Sequence, residues 1–348
     1  MARLLMTACV LVALSPIPAR SEDATGDYKV LKKVKLGGDG GWDYLSVDPA
    51  AKRLYISRAD RVMVVDTDSD KLVGTVPNTA GVHILVPVPD QHKGFTSNGQ
   101  SSTATVVDLA TLKPLQTIKV GSRPDAAIYD PATGRVFTFN AGSKDATAID
   151  TATGKVAGTV PLGGKPEFAA ADGKGTVFVN LEDKNEVLAF DSKDLKVKST
   201  WPTAPGEEPG GLAMDRDSRR LFVSCGNKKM VVLNADNGKV VATLDIGAGT
   251  DAAGFDPGTH MAFSSNRDGT LTIVKEESPD KFEVAQNLKT EQGARTMAVD
   301  PTTHRIYLVT AKQKPSPANR AQPEGGQQKG RRRPNFEPGS FTLIVVGK

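Results

Sequence analysis

Seven positions that recur every 40 to 44 residues carry side chains suited to chemistry on a polar ligand. They hold four carboxylates, one histidine, one arginine and one glycine: Asp43, His83, Asp125, Glu167, Gly210, Asp251 and Arg295. Carboxylate oxygens bind hard cations such as calcium, and carboxyl or imidazole groups transfer protons. If the fold brings these positions together, they predict a divalent-cation site or an acid–base site at a small-molecule pocket.

A second series of polar residues has similar spacing and could extend such a site: Asn98, Asn140, Asn180, Glu182 and Asn266. We take Asp125, Glu167 and Asp251 as candidate ligands of a divalent cation such as calcium. His83 is the candidate catalytic residue, because it is the one titrating base in the first series. Two alternatives stay open. The carboxylates could cap strands and order channel water, and Arg295 could neutralise one of them and favour an anionic or hydroxylated ligand.

The elements that must position these residues follow from a repeated turn. The phrase Asp-Pro-Ala-Thr-Gly-Arg-Val-Phe at 130–137 returns in variant form at 48–55, 256–263 and 300–307, with three more degenerate copies. The aromatic residue that closes each copy falls at 55, 95, 137, 178, 222, 263 and 307. This period, with four short strand patterns per copy, predicts an all-β, WD40-like, seven-bladed β-propeller. Blades that start near 42, 82, 124, 166, 209, 250 and 294 place the first series of polar residues at the mouth of the central channel.

The two ends of the chain predict how the ring closes. The seventh repeat has three strand patterns and then stops at Lys348, whereas residues 30–37 resemble a fourth strand such as 155–162. Pairing the N-terminal strand with the last blade would remove both free sheet edges. Residues 28–348 are therefore predicted to form one propeller domain.

Two segments are predicted to lie outside the regular repeat. Residues 1–21 have the positive start, apolar run and small residues of a secretory signal peptide, which predicts a soluble periplasmic or secreted protein with Cys225 as its one remaining cysteine. Residues 312–340, rich in Pro, Gln and Arg, predict a disordered basic loop within the last blade. This loop has a net charge of +5, and the leader contributes two arginines. Because the whole chain has a net charge of only +4, the remaining body of the protein is mildly acidic.

The repeated turn and the strand endings Val65-Asp66, Val107-Asp108 and Ile149-Asp150 resemble those of the YVTN/YncE family of bacterial propellers. The resemblance covers residues 28–348 and implies the fold. The wider superfamily contains sugar-lactone hydrolases, haem- and quinone-enzyme propellers such as the quinoprotein amine dehydrogenase β-chain, and binding proteins without chemistry. The resemblance therefore leaves the function open.

We expect a monomer that binds a small molecule or a periplasmic protein at the acidic mouth, without catalysis. The alternative is a metal-dependent hydrolase of the sugar-lactonase type, in which Asp125, Glu167 and Asp251 hold the cation and His83 or a bound water is the base. Nucleic-acid binding through the basic loop is a third hypothesis, which the acidic body disfavours. The sequence contains no covalent-haem, nucleotide-binding or nucleophile-elbow motif.

Overall fold

The structure is a computed structural model that describes residues 27–314 and 336–348. The predicted signal peptide lies outside the described residues, as does most of the predicted loop at 312–340. In the described part of the chain, no helix has the length and apolarity needed to cross a membrane. The one helical element there is a 3-10 turn at Pro89–Gln91.

The described residues form strands β1 to β28, which make seven four-stranded antiparallel sheets. Blades one to three contain β2 Leu45–Asp48, β3 Arg53–Arg58, β4 Arg61–Asp66, β5 Leu72–Val76, β6 Val82–Val88, β7 Lys93–Asn98, β8 Thr103–Asp108, β9 Pro114–Lys119, β10 Pro124–Asp130, β11 Arg135–Asn140, β12 Asp145–Asp150 and β13 Lys155–Pro161. Blades four to six contain β14 Pro166–Ala171, β15 Thr176–Leu181, β16 Glu186–Asp191, β17 Val197–Pro202, β18 Pro209–Asp215, β19 Arg220–Cys225, β20 Lys229–Asn234, β21 Val240–Asp245, β22 Thr250–Asp256, β23 Met261–Asn266, β24 Thr270–Ser278 and β25 Lys281–Lys289.

The seventh blade joins the two ends of the chain. It contains β26 Met297–Asp300, β27 Arg305–Thr310, β28 Thr342–Gly347 and the N-terminal strand β1 Lys29–Lys35. Strand β1 pairs antiparallel with β28, from Lys29 opposite Gly347 to Lys35 opposite Thr342. The predicted seven-bladed propeller and its closure by the N-terminal strand are confirmed.

The repeated Asp-Pro turn joins the first and second strands of a blade, and its aspartate accepts hydrogen bonds from within the turn. In the third blade, Asp130 accepts hydrogen bonds from Ala132 N at 3.2 Å and Thr133 Oγ1 at 2.8 Å, and Gly134 adopts a left-handed φ of 64°. His92, His260 and His304 take the left-handed position in their own turns. The aromatic residue that ends each copy is at most 1% exposed in all seven blades, so the column is core.

The two described ends of the predicted loop at 312–340 contact each other and the body of the protein, and the prediction of disorder for the rest of the loop stays a prediction. Gln313 pairs with Phe336 in an isolated bridge, and Glu337 N donates to Lys312 O at 2.8 Å. Phe336 packs against Trp42 with ring centroids 4.8 Å apart. Burial of this apolar side chain against the mouth offsets the ordering entropy that the polar composition alone cannot offset.

Candidate ligand site at the mouth of the channel

Each residue of the predicted ring lies at or just before the start of the first strand of its blade. In five blades the pairing register shifts at this point, for example between Val82 and Ile84 around His83 and between Pro124 and Ala127 around Asp125. The other three shifts surround Glu167, Gly210 and Asp251. A β-bulge breaks the alternation of the pleat and redirects a side chain. In these five blades the ring residue therefore lies at a bulge, where the strand can redirect its side chain.

Five ring residues from consecutive blades form a continuous arc of alternating charge, Asp251–Arg295–Asp43–His83–Asp125. Arg295 Nε donates to Asp251 Oδ2, and Arg295 Nη2 lies 3.3 Å from Asp43 Oδ1. His83 Nδ1 lies 2.5 Å from Asp43 Oδ2 and 3.0 Å from Asp125 Oδ1. We call this chain of five residues the charge arc. Its carboxylates are already paired with cations from the same chain.

His83 is a cation in this arrangement. Burial lowers the pKa of its imidazole, but hydrogen bonds and charge interactions with Asp125 and Asp43 outweigh burial and raise the pKa to about 11. The same contacts, with the charges of Lys165 and Arg123, hold the pKa of Asp125 below its usual value although burial opposes this. A protonated imidazole between two carboxylates cannot accept a proton at neutral pH. The predicted role of His83 as a general base would require the loss of this proton and stays a prediction.

A smaller cluster belongs to the fourth blade. Lys165 Nζ contacts Glu182 and lies 3.1 Å from Glu167 Oε2, while the Tyr44 hydroxyl lies 3.3 Å from Glu167 Oε1. Burial and the nearby carboxylate of Asp125 raise the pKa of Glu167 to about 8, against the lowering effect of Lys165. Burial raises the pKa of Asp251 to about 6, with Arg295 opposing. Near pH 7 the mouth is thus close to charge-balanced rather than strongly acidic.

The three predicted metal ligands do not converge. Asp125 is paired with His83, Glu167 with Lys165 and Asp251 with Arg295. Among the described residues, the one group of three potential ligands whose atoms lie within 4.8 Å of one another is Asp43, His83 and Asp125. An imidazole nitrogen with two carboxylates is not the all-oxygen set that calcium prefers. The predicted calcium site therefore lacks its ligand geometry.

The asparagines predicted to extend the site are committed to the blades. Asn140 is fully buried, donates to Asp145 Oδ1 at 2.6 Å and Thr147 Oγ1 at 3.0 Å, and accepts from Thr138 Oγ1. Asn98 and Asn266 make the same kind of contact with threonine and serine hydroxyls of their own blades. Asn180 donates to Gly210 O and Gly211 O of the next blade. Their function in this structure is to join strands, and of the second series only Glu182 reaches the charged groups of the mouth.

Two aromatic side chains from opposite blades, each directly after a ring residue in the chain, pack on each other. Tyr44 of the first blade and Phe168 of the fourth pack with centroids 4.8 Å apart. The position after the ring residue is aromatic in these two blades and holds Ile84, Ala126, Gly211, Ala252 or Thr296 elsewhere. The two aromatic residues are visible in the sequence at equivalent repeat positions, but their contact with each other is not.

An open cavity of about 1260 Å³ lies at the mouth of the channel. Its floor includes Asp43, His83, Asp125 and Arg295, so four members of the charge arc face it. Its wall includes three aromatic side chains that pack on one another, with Trp42 between Phe336 and Phe341 at centroid distances of 4.8 and 5.6 Å. We call this space the mouth cavity. It covers blades seven and one to three, and its volume is above the range of about 300–1,000 Å³ typical of small-molecule sites, so a small organic molecule would fill part of it.

Cys225 does not contribute a nucleophile to the mouth. Its side chain is fully buried in the core of the fifth blade, and burial raises the pKa of the thiol to about 12. A thiolate is the reactive form of cysteine. Cys225 is therefore a core residue.

Solved structures with the same architecture share little sequence with this chain. A hydrazine synthase structure from Kuenenia stuttgartiensis matches with a TM-score of 0.67 and 17% identity, over 78% of this chain and 94% of that one. A chain in a mitotic checkpoint complex matches with a TM-score of 0.69 and 16% identity, over 88% and 95%. Their likeness shows the fold alone. No protein-family model and no curated protein matches the sequence, so the resemblance to the YVTN/YncE family stays a prediction.

Proposed function

We propose that this protein is a non-catalytic binding protein that holds a small polar molecule in the mouth cavity. The observation that supports it is the cavity itself, whose floor is the charge arc and whose wall is aromatic. Because the carboxylates are paired internally, the floor offers hydrogen-bond donors and acceptors in fixed places rather than a strong field of one sign. Such a surface suits a ligand with several polar groups and an apolar face.

The cellular setting belongs to the same proposal. The leader predicted at residues 1–21 would export the protein to the periplasm or the medium, where it would act as a monomer. Removal of the leader would leave Cys225, which is buried, as the one cysteine. A stable fold without disulfides suits an exported protein whose stability comes from packed sheets.

Ligand capture from a protein-free metabolite extract tests the proposal. The purified protein is incubated with the extract, and the small molecules that it retains are identified by mass spectrometry. The matched control is Gly41→Trp, because Gly41 lines the cavity and a side chain there enters open space. We expect a retained molecule that the control variant loses. No retained molecule, or equal retention by Gly41→Trp, would contradict binding in the mouth cavity.

A metal-assisted hydrolase of the sugar-lactonase type is the second candidate, and one observation favours it. The ligand atoms of Asp43, His83 and Asp125 lie close enough together for a transition metal such as zinc, which would polarise a carbonyl group. The proton on His83 and the nearby guanidinium of Arg295 oppose a second cation.

Zinc and calcium titrations, read as melting temperature, separate the two candidates. An increase with zinc that Asp125→Asn abolishes would support the hydrolase, since a ligand of the folded state stabilises it by mass action. No increase in the wild type would contradict it. The nucleic-acid hypothesis stays a prediction, because Arg331, Arg332 and Arg333 lie outside the described residues.

A further inference from the structure

Arg58 presents a buried positive charge on the wall of the mouth cavity. It ends strand β3, is 1% exposed, and is the largest fully buried side chain of the described chain. Its one hydrogen bond runs from Nη2 to Gly38 O at 3.0 Å. Its Nε and Nη1 atoms have no partner in the described part of the chain. Burial and the neighbouring charge of Arg61 lower its pKa to about 10, so it is still a cation at neutral pH.

A second donor without an acceptor stands beside it. Trp42 Nε1 is buried on the same wall and has no partner among the described residues. Both side chains pack on the Phe341 ring: the Arg58 guanidinium carbon lies 3.6 Å from the ring centroid, and the Trp42 ring lies 5.6 Å away. Two of the described residues that line the cavity have buried polar atoms without a partner, and these are Arg58 and Trp42. Both side chains can only donate hydrogen bonds.

Unpaired buried donors are unfavourable, and an unpaired buried charge more so. The cation–π contact with Phe341 compensates part of the loss but supplies no acceptor for Nε and Nη1. In the same molecule, buried Arg220 shows the usual solution. All three of its side-chain nitrogens donate, to Pro279 O, to Ser218 O and Arg219 O, and to Asp280 Oδ1.

We infer that Arg58 is the anchor for a carboxylate group of the ligand, with Trp42 Nε1 as an additional donor. This inference rests on the proposed binding function and specifies the ligand as an organic acid. A planar carboxylate accepts two hydrogen bonds from the edge of a guanidinium. A single negative charge balances Arg58, and the charge of Asp39 acts on the same guanidinium and would repel the second charge of a phosphate dianion. The aromatic wall would hold the apolar part of the acid.

The acid must displace part of the wall, because the unpaired nitrogen atoms are covered. Phe336 lies against Trp42, and it belongs to a segment held at this point by the isolated bridge with Gln313. A shift of this ring breaks few contacts compared with a shift of strands β3 or β28. Phe336→Ala should therefore strengthen the binding of an acid rather than weaken it.

Binding of benzoate tests the inference, with benzamide as the neutral control of the same shape. Trp201→Phe leaves Trp42 as the one tryptophan, because the chain has two, so its fluorescence reports on the wall. We expect a saturable change with benzoate, none with benzamide, and at least about tenfold weaker benzoate binding in Arg58→Met. Equal responses to both compounds, no response to benzoate, or unchanged affinity in Arg58→Met would overturn the inference. A response to inorganic phosphate alone would overturn the choice of a carboxylate.

The stability of the same variants separates ligand binding from a structural role. Methionine has a volume similar to that of arginine and carries no charge, so Arg58→Met should match or exceed the wild type in melting temperature. Arg220→Met should melt at a lower temperature, because it removes partnered hydrogen bonds. A comparable decrease in both variants would show that Arg58 is structural. If metabolite capture by the mouth cavity persists while benzoate fails, the binding function stands and the carboxylate inference alone is wrong.

Discussion

His83→Gln is the most direct test of the charge arc, since it removes the one positive charge between Asp43 and Asp125. The amide can still donate one hydrogen bond, so the substitution changes mainly the charge. A pKa raised from 6.5 to about 11 corresponds to about 6 kcal/mol, at about 1.4 kcal/mol per pKa unit. The His83 side chain is 32% exposed, and solvent screening reduces this figure. We expect a loss of about 2–4 kcal/mol in the free energy of unfolding at neutral pH.

The pH dependence of this loss has a defined sign. The pKa of His83 is raised in the folded state, so its contribution is fully present below about pH 6.5 and disappears as the pH rises through about 11. Urea unfolding of the wild type and His83→Gln should therefore show a difference that shrinks between about pH 7 and about pH 10. Asp125→Asn added to His83→Gln should restore most of the loss, because the two sites are in contact. A loss below about 0.5 kcal/mol, or one that does not change with pH, would refute the assignment of His83 as a buried cation.

Three further predictions concern other residues. Gly99→Ala should lower the free energy of unfolding, measured by urea denaturation, by about 1–3 kcal/mol, because its Cβ would lie 2.7 Å from His83 Nε2. Gly41→Ala is the control and should be close to neutral, because its Cβ meets no atom within 4 Å. Burial raises the pKa of Glu276 from 4.5 to about 7, so this group should lower wild-type stability as the pH rises through this interval. Glu276→Gln should show a smaller fall than the wild type, because Glu167 and Asp251 still contribute to it; an unchanged pH profile would contradict the assignment. Cys225 should react with a thiol reagent only after unfolding, and labelling of the native protein at the rate of a free thiol would contradict its burial.

The fold was predictable because it depends on local chemistry that the chain repeats. An Asp-Pro turn, an aromatic residue in the strand that follows it and a period of 40 to 44 residues can each be recognised without knowing any long-range contact. Closure by β1 was predictable for the same reason, since the seventh copy lacks one strand and the N-terminus has one to spare. The ring positions followed from the repeat, because equivalent residues of equivalent blades surround one axis.

The function of those ring residues depended on their neighbours in space. His83 could be a base or a cation according to its partners, and only the approach of Asp43 and Asp125 from the adjacent blades makes it a cation. The three predicted metal ligands do not converge for the same reason, since a cation from this chain lies next to each carboxylate. Charge pairing across blades depends on distances of a few ångströms, which a repeat period cannot specify.

The sequence by itself determined the architecture of this protein, the order of its blades and the polar character of its channel mouth. Tertiary structure alone decided that Tyr44 and Phe168 meet across the channel and that Asn140 bonds to side chains of its own blade. It also decided that Arg58 Nε, Arg58 Nη1 and Trp42 Nε1 have no acceptor among the described residues. The physical reason is that turns and strands form from interactions between near neighbours. Burial, pairing and the absence of a partner are properties of residues that are distant in the chain and meet only when the ring closes.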